Sequence, residues 1–222
     1  MKIKNLLLTL SFLILSSCIV KSLHPFYTKK SIFFEKRLLG NWQDTKKGTW
    51  KVVSFKEEVL KDNKEKDTSK LSDEDLIDYE KYKDAYLFNY VKDSSETQFF
   101  VMPFKIKKQL FLDFYPIDFE EGNLNKLVSY HLLKTHSLVK VEFTSEGLLK
   151  LRWFDEDKIT DLIDNNRIKI KYEKVGIDEN ILLTASSEEL QKFITKYIDS
   201  NDKDKWKTDV HFNLKKVDEK IK

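Results

Sequence analysis

One cysteine in 222 residues leaves nothing for an intramolecular disulfide or a thiolate zinc cluster. Glycine (5) and proline (3) are nearly as scarce. Average usage is roughly 7% and 5%, so collagen-like and linker-rich designs lack material. The glycines are isolated, and neither a Walker loop nor a dinucleotide fingerprint can be assembled from them. A dominant charge sign is missing too. Forty basic against 37 acidic residues leave a net +3, which carries no footprint of nucleic-acid binding, so no nucleic-acid partner is expected. There is no G-x-S-x-G elbow, no S-x-x-K and no spare cysteine to pair with a histidine. No catalytic residue and no cofactor is assigned, and the chain reads as non-enzymatic.

What is present begins at the N-terminus. Lys2 and Lys4 precede the apolar run Leu6, Leu7, Leu8, Leu10, Phe12, Leu13, Ile14 and Leu15, which ends in Ser16 and Ser17. This is the pattern of an export signal. A spanning helix needs about 20 apolar residues, and this run is shorter. The lone cysteine follows directly, in Leu15-Ser16-Ser17-Cys18. That tetrapeptide resembles the lipobox of bacterial lipoproteins, which implies cleavage after residue 17 and a diacylglycerol on Cys18. Acyl chains supply about 0.8 kcal/mol per buried methylene, enough to hold a domain at a membrane with no spanning segment. Loss of Lys2 and Lys4 takes the 40 basic residues to 38 against 37 acidic ones. Ile19 and Val20 follow the cysteine, and no acidic cluster precedes Glu35. By resemblance to lipoprotein sorting rules this implies an outer-membrane, periplasm-facing anchor, or the outer face of the cell membrane where the source has no outer membrane.

Residues 18–37 read as a lipidated tether whose aromatics pack on the domain, and residues 38–222 as a single β-rich domain without internal repeats. Val139, Val141 and Phe143, a turn at Thr144–Gly147, then Leu149, Leu151 and Trp153 alternate as a hairpin with one wet face. The same alternation predicts strands at Ile168–Tyr172 and Val210–Val217. Tyr86–Val91, Phe99–Ile106 and Leu110–Tyr115 are apolar at nearly every position, which predicts strands covered on both faces. Ser186 and Glu189 form a capping box ahead of Leu190, Phe193, Ile194, Tyr197 and Ile198. Asp155, Glu156 and Asp157 open a second helix facing inward through Ile159, Leu162 and Ile163 and ending near Asn165-Asn166. A third begins at Ser72, within a charged insertion at about 56–84. The expected fold is mainly β (α+β): an antiparallel meander of about eight or nine strands, closed as a barrel or strongly curved, with two or three amphipathic helices on it. Scarce glycine favours the open form, since barrel corners and tight hairpins use glycine.

Leu38-Leu39-Gly40-Asn41-Trp42, followed by Gly48-Thr49-Trp50-Lys51-Val52-Val53, resembles the G-x-W entry of lipocalin-like domains. In those domains the Trp closes one end of the barrel under an Arg from the last strand; here Val210–Val217 carries lysines and no arginine. Four further stretches, Ser22–Thr28, Phe111–Pro116, His131–Ser137 and Leu182–Leu190, resemble a family of uncharacterised bacterial lipoproteins. That resemblance implies location and fold class only.

The candidate site is a barrel mouth lined by inward Trp50, Tyr86, Trp153 and Phe212, suited to a small apolar or amphiphilic ligand. The alternative is an assembly role, docking on an envelope protein. His131 and His136 are five apart and would point to opposite faces of a strand, so no metal site is assigned. Asp113 sits between Leu112 and Phe114 in an apolar strand. A buried acid there would need a partner; the expectation is that it faces out at a sheet end or bonds a turn near Pro116. An enzyme acting through Asp113 with His131 or His136 would require these groups to meet in a concave site.

Overall fold

Most of these alternating stretches become strands of one sheet. A computed structural model describes residues 19–61, 68, 71–119 and 132–217. The signal segment, Cys18, Glu120-Glu121, His131 and part of the charged insertion lie outside the described residues. The strands are β1 (Lys21–Ser22), β2 (Gly40–Asp44), β3 (Thr49–Ser54), β4 (Tyr86–Lys92), β5 (Ser95–Ile106), β6 (Gln109–Phe119), β7 (His136–Phe143), β8 (Leu149–Trp153), β9 (Tyr172–Val175), β10 (Asn180–Leu183) and β11 (His211–Val217). The helices are α1 (Phe55–Val59), α2 (Asp73–Tyr82), α3 (Glu156–Asp164) and α4 (Ser187–Asp199). No described helix is long and apolar enough to cross a membrane.

Strands β2 to β8 form an antiparallel meander, and β11 pairs with both β8 and β2, closing an eight-stranded barrel. The closed form therefore prevails although glycine is scarce. Turns that would use glycine use other residues at positive φ instead: Lys47 between β2 and β3, Asp93 and Ser94 between β4 and β5, and Lys107 between β5 and β6. Asp93 and Ser94 both lie in the left-handed region, as a two-residue type I′ hairpin requires. Gly40, at φ +120°, opens β2 beneath the side chain of Lys216; a Cβ there would stand 3.1 Å from Lys216 Cε. Lys216 Nζ lies 5.5 Å from the ring centroid of Trp42, its cross-strand partner. A lysine thus takes the place over the Trp that lipocalin-like domains give to arginine.

The remaining strands extend the sheet outside the barrel. β1 pairs antiparallel with the start of β7 and parallel with β10, which forms a hairpin with β9. The stretch read as a tether is built into the domain, with Val20 and Phe26 fully buried. Ile19 bridges Asp155, the N-cap of α3.

Two cores result, sharing the β5–β6–β7 wall. Inward positions such as Val101, Leu110, Leu112, Phe114, Val139 and Val141 fill the barrel with Trp42, Trp50 and Trp153. Outward positions Phe104, Ile106, Phe111 and Leu138 pack under Phe26, α3 and α4. This double burial is why β5 and β6 lack alternation. Ser186 accepts the N–H of Glu189, whose carboxylate accepts that of Ser186, as the capping box predicts. Leu190, Ile194 and Tyr197 turn inward from α4, each burial contributing about 1.5–3 kcal/mol.

The stretch Ile168–Tyr172 departs from expectation: only Tyr172–Val175 forms a strand. Helix α3 ends in a Schellman motif, with Asn166 at φ 54°, its N–H donating to Ile163 O and that of Arg167 to Leu162 O. The chain leaves this cap extended but without a ladder partner until Tyr172. Ile168, Ile170 and Tyr172 still turn inward, while Arg167, Lys169 and Lys171 stay exposed.

Candidate functional site

Period-two geometry turns the four predicted residues into the barrel. Trp50 on β3, Tyr86 on β4, Trp153 on β8 and Phe212 on β11 all face the barrel interior. Trp50 and Trp153 meet Phe212, while Tyr86 meets Phe34 and Phe88 farther along the barrel. The ring of Phe212 stands 5.0 Å from Trp50 and 5.6 Å from Trp153, both edge-on, and Trp153 lies 5.0 Å from Phe114. Their polar tips are engaged too. Trp50 Nε1 donates to Asp44 at 3.2 Å. The Tyr86 hydroxyl accepts the N–H of Glu35 at 2.7 Å and donates to the Glu35 carbonyl at 3.0 Å, and burial raises its phenol pKa. These residues form a packed aromatic core.

A concave surface lies outside the barrel instead. A groove of about 950 Å³ runs between the C-terminal half of α3, the extended stretch after it and one face of α4. Its floor is apolar: Leu162 and Ile163 from α3, Ile168 and Ile170 from the extended stretch, Phe193 and Tyr197 from α4. Its rim carries Arg167, Lys169, Lys171, Lys192 and Lys196 against Glu189 and Asp202. The helical spacing 189, 192, 193, 196 and 200 puts those α4 residues on one face, and Lys171 pairs with Glu189 at 3.3 Å. Lys169, Lys192 and Lys196 form no ion pair among the described residues. Sequence reasoning reached α4 only through its core-facing stripe and missed the groove. The alternation at 167–172 is the signal that could have found it, since it separates an apolar floor from a basic rim.

The third feature corrects the reading of Asp113. Its side chain is 2% exposed, on the outer face of β6 beneath the N-terminal segment. Oδ2 accepts the backbone N–H of Phe26 at 2.6 Å, and Oδ1 lies 2.6 Å from His136 Nδ1. It neither faces out nor bonds a turn near Pro116, because register sets Asp113 opposite Leu138 and carries it under residues 26–27. Burial pushes its pKa up, while the His136 and Phe26 hydrogen bonds pull the other way. Tyr27, close by, is raised by burial and by the charge of Asp113. An ionised Asp113 makes Nδ1 of His136 the donor and leaves Nε2 as an acceptor. Among the described residues no hydroxyl or thiol is hydrogen-bonded to that imidazole, whose ring packs 4.9 Å from Tyr115. The pair fastens the N-terminal segment to the barrel wall. No cluster of three metal-ligating side chains occurs among the described residues.

Protein-family models, curated proteins and solved structures all yield no match to this chain, so its fold and site rest on the geometry above.

Proposed function

We propose that the protein is a membrane-anchored lipoprotein, acylated at Cys18, whose domain is a non-enzymatic binding module for a small amphiphile with an anionic head. The observation that carries this reading is the groove beside α4, with an apolar floor and, at its rim, Lys169, Lys192 and Lys196, which form no ion pair among the described residues. Apolar walls with a few placed charges are the usual make-up of small-molecule sites, and about 950 Å³ is within the range of ~300–1,000 Å³ such sites occupy. The packed aromatics of the barrel make its interior the poorer host.

The start of the described chain lies near the groove. Ile19, next after the cysteine, bridges the N-cap of α3. Leu162 follows that cap by seven residues, about 10 Å along a helix at 1.5 Å per residue. A domain so tethered holds its groove within reach of membrane-derived amphiphiles.

Two measurements test the reading. Radiolabelled palmitate should enter the wild-type chain and not Cys18→Ala; equal labelling of the two ends the anchor assignment. Isothermal titration of the full chain in nonionic detergent with dodecanoate should show saturable binding, weakened about tenfold or more by Ile170→Glu, which sets a buried-side charge against the apolar tail. No saturable heat, or equal affinity in both proteins, refutes the groove. A protein co-purifying with the native chain, with no bound amphiphile, would favour the docking alternative.

A further inference from the structure

A second concavity, of about 490 Å³, lies on the outer barrel face where β7, β8 and β11 run side by side. Register sets Lys140 opposite Arg152, and Arg152 opposite His211, so two cations and an imidazole form one row across three strands. Lys150 stands in the next row, opposite Asn213. The loop after α4 adds Lys203, Trp206 and Lys207 from above.

Like charges directly opposite on neighbouring strands repel, so this face needs an anion. Glu142 supplies one, at 2.7 Å from both Lys140 Nζ and the Arg152 guanidinium. Its charge also reaches Lys150, which register sets opposite it, though no ion pair joins the two. Lys150, Lys203 and Lys207 form no ion pair among the described residues, and the only carboxylate lining the concavity is Asp204. Trp206 lines the concavity too, with Lys140 Nζ 5.5 Å from its ring centroid. Ammonium and guanidinium groups gathered there call for a ligand that is all acceptor.

We infer that this concavity binds a phosphorylated small molecule, its phosphate oxygens held by Lys150, Arg152 and Lys207. Arginine suits the planar two-point grip on phosphate oxygens, and lysine adds point charge. The volume exceeds what a bare phosphate needs and falls in the range of small-molecule sites, so the phosphate is carried on a larger body. Cations gathered in one concavity suit the compact charge of a phosphate better than the spaced carboxylates of an acidic protein face. The site is separate from the groove beside α4 and stands or falls without it: Ser200 and Asp202 line the groove, whereas Lys203 to Thr208 line this concavity.

The test is isothermal titration of the full chain in nonionic detergent with inorganic pyrophosphate. Saturable binding is expected, weakened about tenfold or more in the Lys150→Gln/Lys207→Gln double variant and by added salt. Lys150 lies on the outer face of β8 and Lys207 on the loop after α4, outside both cores, so an unchanged thermal melt shows that the variant folds. Glucose 6-phosphate and dihexanoyl phosphatidic acid then separate the sources: tighter binding of the first assigns a soluble sugar phosphate, of the second a lipid headgroup, and either supports the site. No saturable heat with any of the three, or equal affinity in the double variant, overturns it. A response to poly-glutamate alone overturns it as well, in favour of an acidic protein partner.

Discussion

Asp113 offers the sharpest test of how the N-terminal segment is held. Its carboxylate accepts the amide of Phe26, a residue with no exposed surface, and meets His136, whose side chain is 19% exposed. Asp113→Leu keeps the volume and removes both acceptor oxygens. The Phe26 N–H is then a buried orphan, costing about 1–3 kcal/mol, whereas His136 can turn to water at smaller cost. The expected loss is about 3 kcal/mol. Asp113→Asn retains an oxygen for Phe26 and can donate to His136 Nδ1 in the other tautomer, so its cost is about 1 kcal/mol. The pH dependence has a definite sign. Burial raises the folded-state pKa of Asp113 above its unfolded value. The stability it contributes is therefore fully present below the unfolded pKa, about 3.9, and is lost as pH rises through the folded pKa. The gap between wild type and Asp113→Asn should be widest near pH 4 and narrow towards neutrality. Urea unfolding followed by tryptophan fluorescence between pH 4 and 7 measures it. A leucine variant within about 0.5 kcal/mol of wild type, or a gap that widens with pH, would refute the argument.

Three further outcomes check the packing. Trp153→Ala empties the centre of the aromatic cluster and should cost about 3–5 kcal/mol in chemical denaturation; a loss under about 1 kcal/mol would mean that the barrel interior is not packed as described. Gly48→Ala places a methyl group 2.5 Å from both Asp44 Oδ2 and Tyr90 Cε2, where Asp44 already accepts the N–H groups of Lys46 and Gly48. It should lower stability by about 1–3 kcal/mol, and an unchanged melting temperature would count against the turn geometry. Ser186→Ala removes the α4 cap and should cost about 1 kcal/mol, read as faster amide exchange in the first turn of α4.

What could be read from the chain was whatever depends on neighbours in sequence. The β7–β8 hairpin follows from Val139–Phe143 and Leu149–Trp153, because a one-sided strand alternates wherever it pairs. The Ser186 capping box and the α3 terminus are local chemistry, and they are where the residues put them. Misreadings came where a local pattern has two physical sources. Alternation at Ile168–Tyr172 reports one-sided burial, which an extended segment beside a helix produces as well as a strand does. Scarce glycine argued for an open sheet on the premise that tight turns need glycine, yet Asp93, Ser94 and Lys107 accept positive φ there. The Asp113 environment was out of reach for another reason: Phe26 is 87 positions away, and nothing local to either residue encodes their meeting.

The aromatic content reads differently once both cores are in view. An eight-stranded barrel has an interior only just wide enough for side chains to fill it, and Trp42, Trp50, Phe88, Phe114 and Trp153 are large enough to do so. Phe26, Phe104, Phe111, Phe154 and Tyr197 belong to a second core on the outside of the same wall. Most of the described aromatics thus belong to one core or the other, and the surplus that suggested an aromatic binding mouth is largely structural. Filling the barrel has a consequence for function. Side chains able to recognise the proposed ligands are left to the outer face, and there the lysines that alternate with core residues, on β7 and β8 and along residues 167–171, line the two basic concavities.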